Sequence, residues 1–391
     1  MKLVTLTLLP VLITSLTTPF KAELRKTAEK LVRPGYGLLA CDESTGTVGA
    51  RLEGVGVENT YENRATWREL LFTTPNLNKH ISGCILFEET LFQDGAVSGR
   101  PHVDVLNENG IVPGIKVDMG LKPLIGGGEG ETWCSGLDGL FERATDYYKQ
   151  GARFAKWRTA VRINKDLNLP TNLAVEEAAH GLARYARICQ EAGLCPIVEP
   201  EVLIDGTHTI EETAAVQERF ITLVYQKMEA SGCYLEGTLL KPSMTVSGVD
   251  CVDKPKPPEI AAMTVQTLQR CIPPAMPGVT FLSGGISEED ASIYLNEINK
   301  LSRKGPWALT FSFSRAQQSS CIKVWGGKKE NVEAAQKQLL ARTQANSEAS
   351  KGEYKQLLAR TQANSEASKG EYVPGSQPSD EESLYVKDYV Y

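Results

Sequence analysis

Four short segments of the chain carry charged residues that could do chemistry together. Lys241 ends a strand-like apolar run in TLLKP, a position from which a buried amine can attack a carbonyl. Three earlier segments each carry two charged residues at positions i and i+2, which point to one face of a strand. These pairs are Lys116 and Asp118, Lys156 and Arg158, and Glu199 and Glu201. Because unpaired buried charges are costly, charges that recur on one face of several strands predict a shared polar pocket.

A nucleophilic lysine in such a pocket must be neutral part of the time, which requires a lowered pKa. Neighbouring cations act in that direction, and the chain offers Lys116, Lys156, Arg158 and Arg315. Asp42, Glu199 and Glu201 would balance the charge and move protons. The turn Ser283, Gly284, Gly285 offers unhindered backbone N–H groups suited to a phosphate. A phosphorylated carbonyl compound is therefore the substrate class that these residues predict.

The elements that must position these residues are alternating strands and helices. Apolar runs predict strands at 37–41, 82–87, 111–117, 153–157, 195–199, 235–241, 279–283 and 307–313. Helical patterns lie between them, at 60–72, 136–150, 172–192, 211–231, 258–271 and 287–300, and again from about 329. Eight nearly continuous apolar strands that alternate with helices predict an α/β fold, a closed (β/α)8 TIM barrel.

The alternative is a doubly wound open sheet, but no GxGxxG follows the first strand. GGGEG at 126–130 follows no strand and is interpreted as a surface turn. In a barrel, chemistry belongs at the carboxyl ends of the strands, where this chain keeps its charges.

Composition excludes several classes of protein. The 391 residues carry a net charge of −6 without a basic run, so nucleic acid is not expected as a partner. Nine cysteines form no CxxC pair and are interpreted as reduced core residues, with a disulfide framework as the alternative. The four histidines have no metal-ligand spacing, and no metal or other cofactor is expected.

Both ends of the chain depart from the barrel pattern. Residues 1–15 form a mostly apolar extension, either an N-terminal arm or a signal-like segment, and no membrane span is expected. The barrel is assigned to 16–336. KQLLARTQANSEASKGEY occupies 337–354 and recurs unchanged at 355–372. This duplicated 18-residue segment is predicted as two helices, because Gly352 and Gly370 lie near the ends of the two copies and are suited to stop a helix. Residues 373–391 are predicted to be a mobile tail.

These segments together resemble the class I fructose-bisphosphate aldolases. The matching strings run from about residue 22 to residue 348, and Tyr391 closes the match: GLLACDESTGT, ENTYENR, ILFEETL, VPGIKVD, GLDGL, GARFAKWR, LARYA, PIVEPE, LEGTLLKPSM, TFLSGG, NEIN, PWALTFSFSR and WGGKKEN. The resemblance implies reversible, metal-independent cleavage of fructose 1,6-bisphosphate to dihydroxyacetone phosphate and glyceraldehyde 3-phosphate in glycolysis and gluconeogenesis.

The resemblance also implies a role for individual residues. Lys241 is similar to the Schiff-base lysine, and Glu199 to the acid that helps the carbinolamine lose water. Asp42 resembles the base that takes the C4 hydroxyl proton, and Lys156 resembles the lysine that stabilises the developing charge. Glu201 resembles the carboxylate that holds this cluster in place. Tyr391 resembles a tail tyrosine that transfers a proton at the enamine carbon. The resemblance implies that Ser283, Gly284 and Arg315 bind one phosphate and that Ser44, Arg51 and Lys116 bind the other end of the sugar. Further substrate-binding candidates are Arg158, Gly285 and Ser312.

Two departures from the family concern the site for the sugar's far phosphate, the one more distant from the Schiff base. Ala50 stands where a lysine commonly precedes Arg51, and Met119 stands where DKG is usual. Alternative functions are a barrel retained as an interaction scaffold and another Schiff-base enzyme such as a transaldolase. A homotetramer is implied by the resemblance alone, and a cytoplasmic location is expected unless residues 1–15 are a targeting signal.

Overall fold

The computed structural model of the protein describes residues 19–302, 305–355 and 383–387. The strands within them are β1 Gly37–Cys41, β2 Ile81–Leu86, β3 Val112–Lys116, β4 Leu121–Pro123, β5 Thr132–Cys134, β6 Phe154–Val161, β7 Cys195–Val202, β8 Leu239–Leu240, β9 Gly278–Phe281 and β10 Ala308–Phe313. Eight of these strands are parallel and close into a barrel in the order β1-β10-β9-β8-β7-β6-β3-β2, and β4 and β5 form a separate antiparallel hairpin. The predicted (β/α)8 TIM barrel is confirmed.

Helices surround the barrel and follow most of its strands. They are α1 Lys21–Leu31, α2 Thr45–Glu53, α3 Tyr61–Phe72, α4 Glu88–Phe92, α5 His102–Glu108, α6 Leu140–Gln150, α7 Asn172–Glu191, α8 Ile210–Ala230, α9 Pro257–Cys271, α10 Glu288–Lys300, α11 Arg315–Trp325 and α12 Val332–Ala349. Side-chain caps fix several of their starts: Thr171 accepts from the backbone N–H of Ala174, and Thr209 forms a capping box with Glu212. Within the described residues, no helix has the length and apolar character needed to cross a membrane.

The amino-terminal end of the barrel is closed by α1. Leu24, Ala28 and Leu31 of this helix are fully buried in one cluster with side chains from the barrel interior, including Phe154 and Leu239. The polar pocket can therefore open only at the opposite end, which holds the carboxyl ends of the strands.

Two strand glycines make room for aromatic rings in the barrel. A Cβ added to Gly37 would lie 2.6 Å from the ring of Phe311, and one added to Gly114 would lie 2.2 Å from the ring of Phe154. Since real Cβ atoms do not approach other atoms so closely, a side chain at either position would displace the ring.

The strand predicted at 235–241 is mostly a turn. Leu235–Gly237 is a 3-10 turn, and only Leu239 and Leu240 are in β8. Thr238 Oγ1 donates to the Tyr234 carbonyl, which folds the backbone back before the strand begins. A Cβ on Gly237 would lie 2.7 Å from Leu24 Cβ, so the turn also admits the close approach of α1. Apolar character alone did not distinguish this turn from a strand.

The C-terminal part is described only in fragments. The predicted boundary between 336 and 337 falls inside α12, a single helix that ends at Ala349, and Gly352 follows with φ +74°. Most of the second copy, the N-terminal segment 1–15, Tyr391 and all of 373–391 except 383–387 lie outside the described residues. All nine cysteines are free thiols.

Candidate functional site

The site is assembled at the carboxyl ends of the barrel strands. Lys241 directly follows the two-residue strand β8, and its backbone N–H donates to the Val198 carbonyl of β7 at 2.8 Å. Asp42 follows β1 in the same way. Lys156 and Glu199 instead lie within β6 and β7, which continue several residues beyond the predicted strands. Side-chain alternation along these two longer strands carries Arg158 and Glu201 to the same interior face.

Four buried side chains form a chain of alternating charge. Lys241 Nζ donates to Glu199 Oε1 at 2.6 Å. The other oxygen of Glu199, Oε2, is 2.9 Å from Lys156 Nζ, and Lys156 Nζ donates to Asp42 Oδ2 at 2.9 Å. All four residues are at most 3% exposed. Because cations and anions alternate along this chain, each charge has a partner of opposite sign in a region shielded from water.

Burial and the neighbouring charges alter the ionisation of Glu199. Burial alone would raise the pKa of its carboxyl, but the charges of Lys156 and Lys241 and the hydrogen bond from Lys241 outweigh burial and lower the pKa. Glu199 is therefore a carboxylate at neutral pH, held between two amines.

Asp42 and Ser312 each present a buried oxygen with capacity to bind a ligand. Asp42 Oδ1 and Ser312 Oγ have no hydrogen-bond partner among the residues that the structure describes. Because buried polar atoms are usually satisfied, each of these two oxygens is a candidate contact for a ligand. An aspartate oxygen of this kind can accept a proton from a hydroxyl group.

Two further ion pairs support the walls of the pocket. Arg158 Nε donates to Glu201 Oε2 at 2.5 Å, and Lys116 Nζ lies 2.8 Å from Asp118 Oδ1. Asp118 Oδ2 also accepts from the backbone N–H of Arg158, at 3.2 Å, which connects the two pairs. The predicted clustering of the i, i+2 pairs is thus observed as contacts between β3, β6 and β7.

One end of the pocket has the character of an anion site. The pocket is lined by Arg51, Arg158, Glu199, Glu201, Lys241, Leu282, Ser283, Gly284, Ser312, Ser314 and Arg315. Gly284 and Gly285 have φ of +49° and +88°, a backbone conformation that side chains disfavour and that can orient successive N–H groups toward an anion. Arg315 is the first residue of α11, so the positive end of this helix points to the same place.

A short C-terminal fragment lies against this anion site. Arg315 Nη1 donates to the carbonyl of Leu384. Tyr385 Oη donates to Asp205 Oδ1 at 2.6 Å, and a Cβ on Gly285 would lie 3.0 Å from Tyr385 Cα. Sequence reasoning drew attention to Tyr391 only, because nothing in the tail's composition distinguishes Tyr385 from the other tail tyrosines.

An ion network that sequence analysis missed lies around Arg51 in the pocket wall. Glu43 pairs with Arg51 and also with Arg68, whose Nη2 is 2.7 Å from Glu43 Oε2. Ser314 donates to the same carboxylate. Burial would raise the pKa of Glu43, but Arg51, Arg68 and the Ser314 hydrogen bond together lower it to about 2. The sequence offered one indication for Glu43, its position beside Asp42. It offered none for Arg68, which lies in a segment with the pattern of an ordinary surface helix.

Ser44 has a structural contact that the predicted binding role does not use. Its Oγ accepts from the backbone N–H of Thr47 at 3.3 Å and is the N-cap of α2. The cap fixes the start of the helix that carries Arg51. Among the described residues, no group of three or more His, Cys, Asp or Glu side chains is arranged to hold a metal ion.

Comparisons with known proteins agree on one family. The family model described as fructose-bisphosphate aldolase class-I matches residues 23–357. Cytosolic fructose-bisphosphate aldolase 4 of Arabidopsis thaliana is 53% identical over 369 residues, which cover 94% of this chain and 89% of that protein. Chloroplastic fructose-bisphosphate aldolase 2 of the same plant is 48% identical and covers 97% and 90% of the two chains.

A solved structure gives the same result in three dimensions. Fructose-bisphosphate aldolase from Plasmodium falciparum, in complex with TRAP and a small-molecule inhibitor, superposes with a TM-score of 0.85 at 52% identity. The match covers 87% of this chain and 97% of that one.

Proposed function

Because the chain belongs to the class I fructose-bisphosphate aldolase family, we propose that Lys241 is the amine that forms a Schiff base with the ketone of fructose 1,6-bisphosphate. The activity of the chain is the reversible aldol cleavage of this sugar to dihydroxyacetone phosphate and glyceraldehyde 3-phosphate. Membership of the class I family implies a Schiff-base lysine and no metal. The single observation that supports the role of Lys241 is the buried chain Lys241–Glu199–Lys156–Asp42.

Formation of the Schiff base is the step in which Lys241 and Glu199 act together. The neutral amine adds to the C2 ketone, and the resulting carbinolamine must lose its hydroxyl group as water. Glu199 Oε1, 2.6 Å from Lys241 Nζ, receives the proton that the amine releases and returns it to the leaving hydroxyl. The iminium ion that remains draws electrons from C3 and prepares the C3–C4 bond for cleavage.

Cleavage of the carbon-carbon bond requires a base at the C4 hydroxyl. We assign this role to Asp42, whose Oδ1 is buried and unsatisfied among the described residues. As Asp42 takes the proton, C4 becomes an aldehyde carbon, and the electron pair of the broken bond forms an enamine on Lys241. Lys156, 2.9 Å from both Asp42 and Glu199, stabilises their charges, and Glu201 holds Arg158 in the pocket wall.

The enamine is then protonated at C3, and water releases dihydroxyacetone phosphate from Lys241. Tyr391 is our candidate for this proton transfer, on the family resemblance, since it lies outside the described residues. We assign the phosphate near the Schiff base to Ser283, Gly284, Gly285, Ser312 and Arg315. The far end of the sugar is assigned to Ser44, Arg51 and Lys116, and Arg158 is a further substrate-binding candidate that lines the pocket.

Borohydride trapping tests the assignment of Lys241. The protein is incubated with dihydroxyacetone phosphate and EDTA, reduced with sodium borohydride, digested, and analysed by mass spectrometry. We expect one reduced adduct, on Lys241, despite the chelator, and none in Lys241→Met. An adduct on another lysine, or no adduct on a folded protein, would refute the assignment.

We also propose that the protein is a cytoplasmic homotetramer. Support for the assembly comes from the family alone, and light scattering on the purified protein tests it. Support for the compartment comes from the cytosolic relative, although chloroplastic relatives exist. A fluorescent reporter fused to residues 1–30 should remain in the cytoplasm, and import into an organelle or secretion would contradict the proposal.

A further inference from the structure

The first copy of the duplicated segment, residues 337–354, docks on the barrel through specific contacts. Leu339 is fully buried in the main hydrophobic core. Arg342 Nη2 donates to Ser292 Oγ at 2.6 Å and also to the carbonyl of Glu288. Ser292 Oγ in turn donates to Asn346 Oδ1 at 2.7 Å. The α12 surface therefore combines apolar packing with a buried polar network on α10.

The end of this copy is fixed as specifically as its helix. Ser347 Oγ donates to the Gly35 carbonyl at 2.6 Å. After the turn at Gly352, Tyr354 makes two hydrogen bonds to α10. Its backbone N–H donates to Asn296 Oδ1 at 3.0 Å, and its hydroxyl donates to Glu289 Oε1 at 2.7 Å. On the C-terminal side of each contact, the residue involved lies within the repeated 18 residues.

Every one of these residues recurs 18 positions later, because the second copy is identical. Leu339, Arg342, Asn346, Ser347, Gly352 and Tyr354 correspond to Leu357, Arg360, Asn364, Ser365, Gly370 and Tyr372. We propose that the second copy, 355–372, can replace the first on the surface that the first occupies. The site would then have two registers, the first-copy register of the structure and a second-copy register in which the chain is shifted by 18 residues.

The residues immediately before the repeat favour the first-copy register. Ala335 is fully buried, and Gln336 Nε2 donates to the Leu70 carbonyl at 3.0 Å and to Thr73 Oγ1 at 3.1 Å. The first copy continues this helix without interruption. In the second-copy register, residues 337–354 must form a loop between Gln336 and Lys355, or the contacts of Ala335 and Gln336 are lost. Closing that loop costs entropy, so the second-copy register is the minor one in the native sequence.

The register sets the length of the tether to the C-terminal fragment beside Arg315. With the first copy docked, residues 355–382 separate Tyr354 from Ser383; with the second docked, only residues 373–382 separate Tyr372 from it. Effective concentration falls roughly as the −3/2 power of tether length, which makes the fragment about five-fold more concentrated at its contact surface in the second-copy register. The duplication therefore couples the docking of α12 to the occupancy of that surface.

Substitutions that distinguish the two copies test the proposal. Leu339→Asp disables the first copy, Leu357→Asp disables the second, and the double variant disables both. We expect Leu357→Asp to leave the thermal unfolding midpoint unchanged and the double variant to lower it by about 5 °C or more. Leu339→Asp alone should lower the midpoint by less than half as much as the double variant, because the second copy then docks in place of the first.

The matched control removes the second copy. In a variant that lacks residues 355–372, Leu339→Asp should lower the midpoint as much as the double substitution does in the full chain. If Leu339→Asp is as damaging in the full chain as in the deletion variant, the second copy does not dock and the proposal is wrong. Should the aspartate variants fail to fold, Arg342→Ala compared with Arg342→Ala/Arg360→Ala gives the same comparison with a milder change.

Discussion

Glu199 is shared between two lysines, and this sharing determines how the site responds to substitution. Its two carboxylate oxygens each face a different amine, Lys241 Nζ at 2.6 Å and Lys156 Nζ at 2.9 Å. Removal of the negative charge would leave two buried cations facing each other across a neutral group. In the mechanism that we propose, the same residue transfers a proton and also stabilises the pocket.

Glu199→Gln should affect both properties. We expect kcat to fall by about 10²-fold or more, because a glutamine cannot relay the proton between amine and hydroxyl. We also expect the free energy of unfolding to fall by about 3 kcal/mol, because a buried ion pair loses one partner. Steady-state kinetics and urea unfolding measure the two effects, and the rate of borohydride trapping measures Schiff-base formation separately. Glu199→Asp, which keeps the charge, is the control, and trapping of Glu199→Gln at the native rate would contradict the assignment.

Ala50 is a second position where a single substitution has a defined expected effect on substrate binding. It is exposed on α2 beside Arg51, whose guanidinium already pairs with the buried Glu43. Arg51, which we assign to the far end of the sugar, is thus already engaged in an ion pair with the protein. A phosphate at that end would gain from an additional positive charge.

Ala50→Lys should lower KM for fructose 1,6-bisphosphate by up to about five-fold, the range expected for an exposed ion pair. KM for fructose 1-phosphate should not change, since that sugar has no phosphate at the far end. Steady-state assays with both sugars at low and high salt measure the effect, which should weaken as salt screens it. Ala50→Met controls for side-chain size, and an equal change for both sugars would show that Ala50 is not beside the far phosphate.

At the scale of elements, Glu43 joins parts of the barrel that are distant in sequence. Its carboxylate follows β1 and pairs with Arg51 of α2 and Arg68 of α3, while Ser314 reaches it from the end of β10. The pKa of about 2 means that the folded protein stabilises the ionised form of Glu43 more strongly than the unfolded chain does. The junction of these elements is therefore sensitive to acid.

Stability should depend on the ionisation of Glu43 between about pH 4.5 and pH 2. The contribution is fully present above the ordinary pKa of 4.5 and is lost as the pH falls through the folded-state pKa of about 2. It amounts to roughly 3 kcal/mol at neutral pH. Urea unfolding of the native protein and of Glu43→Gln across this pH range measures it. The variant should be less stable at pH 7 with a flatter pH dependence, and parallel curves would contradict the prediction.

Sequence predicted the elements best where burial is continuous and the pattern is long. The strand predicted at 37–41 coincides with β1, and the helix predicted at 172–192 differs from α7 by one residue. The turn at 235–237 was missed because its folding depends on contacts with α1, which is remote in sequence. The hairpin of β4 and β5 was also missed, since each strand has only three residues. Short elements depend on tertiary contacts, which local pattern does not record.

The candidate site was predicted in outline for a related reason. Charges on apolar strands are rare, so Lys156, Glu199 and Lys241 could be found from the sequence alone. Arg68 could not, because it lies on a helix, and a buried arginine in a helix has the same local pattern as an exposed one. The pairing of Arg51 with Glu43 was likewise hidden, because the partners of a charge are set by the folded structure.

At the scale of the whole molecule, the C-terminal fragment competes for a residue that we assign to substrate. Arg315 donates to the Leu384 carbonyl, and the fragment is held in place by the hydrogen bond between Tyr385 and Asp205. A phosphate at Ser283 and Gly284 would use the same guanidinium. The fragment and the phosphate should therefore oppose each other's binding.

Tyr385→Phe should lower KM for fructose 1,6-bisphosphate by about three-fold, because the fragment loses a hydrogen bond of roughly 1 kcal/mol and releases Arg315 more often. The effect on kcat should be smaller than the effect on KM. Steady-state kinetics measure both, with Val386→Ala as the control at an exposed neighbouring position. A higher KM in Tyr385→Phe would mean that the fragment assists substrate binding.

The closure of the barrel by α1 has a practical consequence for how the protein can be attached to a surface. Phe20, just before α1, packs on Tyr148 with ring centroids 5.4 Å apart, and its ring lies beside Gly193 in the turn before β7. Phe20 thus lies at the end of the barrel opposite the polar pocket. Coupling to a sensor chip or resin through the N-terminal side should leave the mouth facing the solution. Attachment through the C-terminal side would instead place the support next to the segment that contacts Arg315.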